Sequence, residues 1–287
     1  MAEGPATVTG TAYVNGRFAP LAEARVSVLD RGFLFGDGVY EVIPVYGGRP
    51  FRLGEHLARL ARSLSELSIA NPHNKAWINL VDRLVKENGG GDRSVYLQVT
   101  RGAPEKRAHP FPANTAPTVV GLCNPLVLPD AAALREGVAA ITRPDIRWGR
   151  CDIKSIALLA NILASQSARE AGANETLLHR DGRVTEGASS NVYAIRGGTV
   201  VTPPKGPEIL SGVTRDALLG LLRLARVPVE ERALALDELR GADEIWISSS
   251  TREVLAITTL DGKPVGTGKP GPLWKQTHAQ FQRLTRS

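Results

Sequence analysis

The chain has 287 residues, more than one hydrophobic core usually fills, which leaves room for two packed lobes or one large α/β unit. Its 43% hydrophobic content is that of an ordinary folded chain and argues against disorder. The net charge of +6 comes from 27 Arg and eight Lys scattered among 29 acids, with only 5% aromatics and none interleaved with the arginines, so no nucleic-acid footprint is present.

Cys123 and Cys151 are the only cysteines, too few for a disulfide scaffold and lacking CxxC metal spacing. The start Met1-Ala2-Glu3-Gly4-Pro5 has no basic stretch leading into an apolar one, and nowhere do about 18 apolar residues run together. A cytoplasmic protein without a membrane partner is expected.

Tyr13-Val14, Asn15-Gly16 and Arg17-Phe18 read as strand, hairpin turn and strand, and Val39 to Tyr46 as a further strand closed by Gly47-Gly48. Leu53, Leu57, Leu60, Leu64 and Leu67 recur at helical spacing, which predicts an amphipathic helix covering a sheet face. A second helix is expected from about Lys75 to Lys86, then a strand over Val95, Leu97 and Val99, a long Pro/Gly-rich loop from Gly102 to Thr118, and a strand near Val119 to Cys123. Asn124-Pro125 and Pro129-Asp130 mark a boundary, giving an N-terminal lobe of residues 1–124, a linker of 125–133 and a C-terminal lobe of 134–287 that carries Lys154. In the second half, a helix is expected from about Ser155 to Ala171, a hairpin turning at Asp181-Gly182, and a strand near Asn191 to Ile195. A helix over Thr214 to Ala225, strands near Glu244 to Ile247 and Val254 to Leu260, and a closing helix over Leu273 to Leu284 complete the chain. Hairpins mixed with helices predict an α+β fold rather than a doubly wound parallel sheet.

Among the lysines Lys154 differs, because it ends a polar stretch and opens onto Ile156-Ala157-Leu158-Leu159-Ala160. At a helix start, the positive dipole and partial desolvation would both favour the neutral amine that a Schiff base requires; a solvated surface lysine is the plain alternative. Glu186, in Thr185-Glu186-Gly187-Ala188-Ser189-Ser190, is either part of a Ser-rich loop or a carboxylate for a heteroaromatic nitrogen that must stay protonated. Leu210-Ser211-Gly212-Val213-Thr214 can seat an anion on backbone N–H groups and a hydroxyl, or simply cap a helix. Arg107 and His109 fall on one side of an extended loop, a donor pair suited to a carboxylate or two unrelated exposed side chains. Asp30-Arg31-Gly32 and Phe35-Gly36-Asp37-Gly38 are turn sequences that match neither a Walker loop nor a dinucleotide fingerprint, and HExxH and GxSxG are missing.

Taken in order, these segments, with Tyr40-Glu41-Val42, Glu55-His56-Leu57-Ala58-Arg59, Thr100-Arg101-Gly102 and Ser248-Ser249-Ser250-Thr251, resemble the fold-type IV pyridoxal-phosphate aminotransferases, most closely the D-amino-acid transaminases. The resemblance implies a two-lobed fold, each lobe a mostly antiparallel or barrel-like sheet with packed helices. It implies that Lys154 carries pyridoxal 5'-phosphate as a Schiff base and moves the substrate proton, with Glu186 at the pyridine nitrogen. Arg59, Ser189, Leu210, Val213, Thr214 and Ser250 are implied to complete the cofactor seat. Tyr40, Arg107 and His109 match the family's α-carboxylate trap, which implies amino acids and 2-oxo acids as substrates and a homodimer as the assembly. A branched-chain L-amino-acid aminotransferase and an (R)-selective amine transaminase are the alternatives. Two departures stand out: Pro44 inside the early strand, expected to bring an edge, bulge or shift near Tyr40, and Ala188 where a serine is frequent.

Overall fold

A computed structural model describes residues 9–286; the reading of Met1 to Pro5 lies outside the described residues. The chain divides into two compact units: the stretch ending at Leu126 together with Ile153–Ala157, and Val127–Asp152 together with Leu158 onward.

The first unit begins with the hairpin β1 (Thr11–Val14) and β2 (Arg17–Pro20), turning on Asn15 and Gly16 with φ of 46° and 94°. A short helix α1 (Arg31–Phe35) precedes β3 (Gly38–Tyr46) and β4 (Arg49–Pro50); α2 (Leu53–Glu66) and α3 (Trp77–Glu87) lead to β5 (Arg93–Thr100) and β6 (Thr118–Pro125). The sheet order is β2-β1-β6-β5-β3-β4, and every pairing in it is antiparallel. Val39, Ile43, Val95, Leu97 and Val99 form one buried core with Leu60 and Leu64 of α2 and Trp77, Val81 and Leu84 of α3.

Pro44 brings neither bulge nor shift: β3 pairs β5 without interruption from Gly38↔Thr100 to Val45↔Arg93. The missing N–H points to the other side of β3, where the partner β4 is only two residues long and the Pro44 carbonyl accepts Phe51 N–H at 2.8 Å. A donor is therefore not required there.

The face that α2 buries is rotated from the leucine stripe. His56, Arg59, Leu60, Ser63 and Leu64 are buried, whereas Leu53, Leu57 and Leu67 only flank the core. The cause lies on β3, where the fully buried Glu41 carboxylate takes hydrogen bonds from Arg59 and His56. A buried carboxylate without such partners would be costly, so the helix turns its polar edge inward.

The helix expected from about Ser155 starts later, at Leu159, and Lys154 does not stand at its N-terminus. Residues 154–156 instead run along the free edge of β3: Tyr40 N–H donates to Lys154 O and Ile156 N–H to Gly38 O, both at 3.0 Å, and Val39 bridges Ser155. Pairing with that edge satisfies backbone groups that a helix start would leave open. By the same bonds Lys154 belongs to the first unit, a correction to its expected place on the C-terminal lobe.

The second unit opens with α4 (Ala131–Glu136), capped by the Asp130 carboxylate and falling partly in the stretch read as linker, and with β7 (Val138–Pro144), a strand the sequence reading missed. Then come α5 (Leu159–Glu170), β8 (Glu175–Arg180), β9 (Arg183–Gly187), β10 (Asn191–Arg196), β11 (Thr199–Thr202), α6 (Val213–Leu224), β12 (Val229–Glu231) and β13 (Leu234–Ala235). The unit ends with α7 (Leu236–Arg240), β14 (Glu244–Ser249), β15 (Glu253–Leu260), β16 (Lys263–Pro264) and α8 (Pro272–Arg286). The sheet runs β12-β11-β10-β14-β15-β7-β8-β9-β13 and is mixed, because β7 lies parallel to both β8 and β15 and β12 is parallel to β11. Its buried face joins Leu177, Val192, Ala194, Ile245, Ile247 and Ile257 in a second core. No described helix is long and apolar enough to cross a membrane.

Candidate active site

In the first unit the edge of β3 fixes Lys154. Its backbone N–H donates to Ser63 Oγ of α2 at 3.2 Å, and its half-buried side chain sets Nζ 4.2 Å from the centre of the Tyr40 ring. Tyr40 in turn stacks on Tyr96 at 5.6 Å, and burial, with Tyr40 close by, pushes the Tyr96 hydroxyl up to about 12. The sequence Gly36-Asp37-Gly38 has a steric purpose here: a Cβ on Gly38 would meet Val99 O at 2.7 Å and Ile156 Cδ1 at 3.1 Å, so a side chain would displace the lysine segment.

Behind Lys154, Arg59 donates to Glu41 through Nε at 2.7 Å and Nη2 at 2.8 Å, and His56 Nδ1 lies 2.8 Å from Glu41 Oε2. Burial alone would raise the Glu41 carboxyl, but the Arg59 guanidinium and His56 more than offset it and bring it down to about 2. Burial also lowers the His56 pKa, against the pull of the Glu41 carboxylate. Glu41 thereby orients Arg59, a residue that the sequence motif marks without its partner.

Arg107 and His109 lie on the loop 101–117 with exposed side chains packed against Phe35: the Arg107 guanidinium is 4.7 Å from the ring centre and the His109 ring 5.3 Å. Tyr40, the third expected carboxylate ligand, stacks instead on Tyr96.

In the second unit Glu186, next to last on β9, is 5% exposed and ion-paired with Arg147, the two in very short contact. Its Oε2 accepts Leu210 N–H at 2.9 Å and Asn191 Nδ2 at 3.2 Å. Arg147 is gripped by Asp145 at 2.8 and 3.0 Å; burial opposes its charge, and the Asp145 and Glu186 carboxylates restore it. Leu210 thus offers its N–H to Glu186, and its place near the expected cofactor residues is that of a brace. Asn191 closes the Ser-rich stretch that begins at Thr185, whereas nothing in the spacing marks Arg147 as a partner of Glu186.

Val213 and Thr214 open α6 after Gly212, the N-cap, which lacks a side-chain cap bond. Thr214 is therefore not the cap. A Cβ on Gly212 would lie 2.0 Å from Asn191 Oδ1, so no side chain fits at this helix start while Asn191 keeps its place. Ser250 follows β14 and is half-buried. Ser189 is exposed and reaches Glu175 at 3.3 Å, beside Ser190 and Arg252 on the same carboxylate at 2.8 and 2.6 Å. Ala188, buried, joins only through its backbone, donating to Thr176 O and accepting from Asn161 Nδ2. Among the described residues no group of His, Cys, Asp and Glu could hold a metal.

Taken separately, a half-buried amine, a buried carboxylate kept in place by an arginine and a helix end opened by glycine are group types that pyridoxal phosphate requires. The two sheets, with the family match and the likeness to solved structures that follow, put the protein in the class of fold-type IV pyridoxal-phosphate enzymes. Residues 38–260 match the family described as Amino-transferase class IV, and the chain belongs to that family. It is 44% identical over 270 residues to a D-alanine aminotransferase of Bacillus licheniformis, covering 93% of this chain and 94% of the relative. Among solved structures, the Escherichia coli branched-chain amino acid aminotransferase superposes with a TM-score of 0.89 at 25% identity, covering 96% of this chain and 95% of that one. The branched-chain aminotransferase of the archaeon Thermoproteus uzoniensis, solved with norvaline, gives a TM-score of 0.87 at 25% identity, covering 96% and 95%.

Proposed function

We propose that this aminotransferase moves the amino group of a D-amino acid, D-alanine first, to a 2-oxo acid such as 2-oxoglutarate, yielding pyruvate and D-glutamate. The observation that carries the reading is the docking of Lys154 on the β3 edge, amine beside Tyr40, in a chain so similar to D-alanine aminotransferases.

Bound pyridoxal phosphate supplies an aldehyde that exchanges amino groups and a ring that takes up electrons from a breaking C–H bond. Lys154 Nζ would hold the cofactor and, once released, would carry the proton from the substrate α-carbon to the cofactor's C4′ carbon, so one amine would serve as nucleophile and base. The Glu186 carboxylate pairs with the protonated ring nitrogen, steadied by Arg147, Asn191 and Leu210 N–H. Arg59, the Val213 and Thr214 N–H groups, the Thr214 hydroxyl and Ser250 bind the phosphate, with Ser189 at the seat's margin. Tyr40, Arg107 and His109 bind the substrate carboxylate. An amine without a carboxylate leaves these donors unpaired, at a cost of a few kcal/mol, and amino acids are favoured.

A homodimer fits the apolar face of α5, where Leu159, Ile162 and Leu163 stand 71%, 60% and 53% exposed. Two unpaired thiols, Cys123 and Cys151, fit a reducing cytoplasm. The likeness to branched-chain enzymes supports a second reading, with L-leucine as donor.

Single half-reactions with D-alanine, L-leucine and (R)-1-phenylethylamine separate these readings, and D-alanine is expected to bleach the yellow chromophore fastest. Bleaching by L-leucine alone would transfer the assignment to the branched-chain activity. Borohydride reduction is expected to fix the cofactor on the peptide containing Lys154, and Lys154→Ala to lower turnover by about a thousandfold or more.

A further inference from the structure

The loop 101–117 has no regular structure, yet its middle is tied down by a side chain outside it that the reaction does not use. Arg31, in the first position of α1, is 5% exposed. Its Nη1 donates to Ala108 O at 2.5 Å and Pro110 O at 3.5 Å, and its Nη2 to His109 O at 3.1 Å, so one guanidinium reads three consecutive carbonyls. Its Nε donates to Asp37 at 2.7 Å, and its backbone N–H to Gly102 O at 2.9 Å.

Asp37 is shared with Arg101, which donates to both carboxylate oxygens at 2.8 and 3.0 Å and to the carbonyls of Leu67 and Ser68. Burial opposes the Asp37 charge, and the bonds from Arg101 and Arg31 still lower its pKa. The Arg101 guanidinium also lies 3.5 Å from the centre of the Phe111 ring, which fastens the far side of the loop. Between the anchors, Phe35 is a common platform: Arg31 at 4.9 Å, Arg107 at 4.7 Å and His109 at 5.3 Å all pack on its ring.

We propose that Arg31, braced by Asp37 and Phe35, is the positioning residue for the Arg107 and His109 pair and thereby sets preference for carboxylate-bearing substrates. The inference rests on the reading of that pair as the carboxylate trap. Long unstructured loops are uncommon in compact units and are held in shape only where something specifies them. The carbonyl clamp and the Phe35 ring hold the pair ready for an incoming anion. A lysine cannot substitute, since a single ammonium cannot bond Asp37 and three carbonyls from one plane.

The test compares native holoenzyme with Arg31→Lys, Phe35→Leu and Arg107→Ala. In Arg31→Lys and Phe35→Leu, KM for D-alanine is expected to rise about tenfold while kcat falls less than about threefold, the pattern of lost binding rather than lost chemistry. The ratio of kcat/KM for D-alanine to that for (R)-1-phenylethylamine should fall about tenfold with it. Trypsin should cut after Lys106 and Arg107 faster than in the native protein, read by mass spectrometry. An equal loss toward both substrates overturns the proposal, as does an unchanged ratio in Arg31→Lys beside a reduced one in Arg107→Ala. An unchanged ratio in Arg107→Ala instead overturns the trap reading beneath it. If Arg31→Lys does not fold, Phe35→Leu, with its half-buried ring, decides in the same way.

Discussion

Glu41 shows how much one side chain can settle. It sits at zero exposure on β3, and its two oxygens hold both Arg59 and His56. Glu41→Gln leaves Arg59 short of its counter-ion, and a loss of about 3–5 kcal/mol in urea unfolding is expected, with faster cofactor release on gel filtration. The pH dependence follows from the same cluster. With Glu41 at about 2 in the folded protein against 4.5 ordinarily, its contribution is complete above 4.5 and is lost as pH falls toward 2. His56 acts in the same direction at higher pH: below about 6.5 the unfolded chain takes up a proton that the buried ring resists. Unfolding midpoints should therefore decline steadily from pH 7 to pH 3, and a flat profile would contradict the cluster. Cys151 is a residue of the opposite kind: burial pushes its thiol up to about 11, and its S–H donates to Trp148 O. Slow alkylation at pH 8 is expected despite its place three residues before Lys154.

Among the elements, β3 carries most of the organisation. One edge pairs with β5 along its whole length; the other is divided between the two residues of β4 and the Lys154 segment. Pro44 is harmless on that divided edge, and Gly38 is necessary there. Gly38→Ala drives a methyl into Val99 O and Ile156, so a loss of about 1–3 kcal/mol and a fall in borohydride labelling of Lys154 are expected together. α2 follows the same logic from above. Leucine spacing sets its length, while the carboxylate beneath it decides which side faces down. Leu97→Ala, in the middle of β5 and fully buried, should cost about 2–5 kcal/mol by thermal or urea unfolding without altering the chromophore.

At the scale of the whole molecule, each unit has its own sheet and its own apolar core. The exposed apolar stripe on α5 supports the proposed homodimer, and Ile162→Arg is expected to move sedimentation from dimer toward monomer. An unchanged sedimentation coefficient would remove α5 from the interface.

The strands, hairpin turns and most helices were legible because side-chain period and turn residues are local properties. The expectations for Lys154, Glu186, Arg59 and the Arg107 and His109 pair rest on the order of motifs along the chain, which resembles a family. Tertiary structure alone decided the course of residues 154–156, whose apolar run reads as a helix until the open edge of β3 offers better partners for its backbone. It alone joined Glu41 to Arg59, Arg147 to Glu186 and Arg31 to the loop at Ala108. A buried charge takes whatever partner the fold brings within hydrogen-bonding reach, and nothing in residue spacing records that distance.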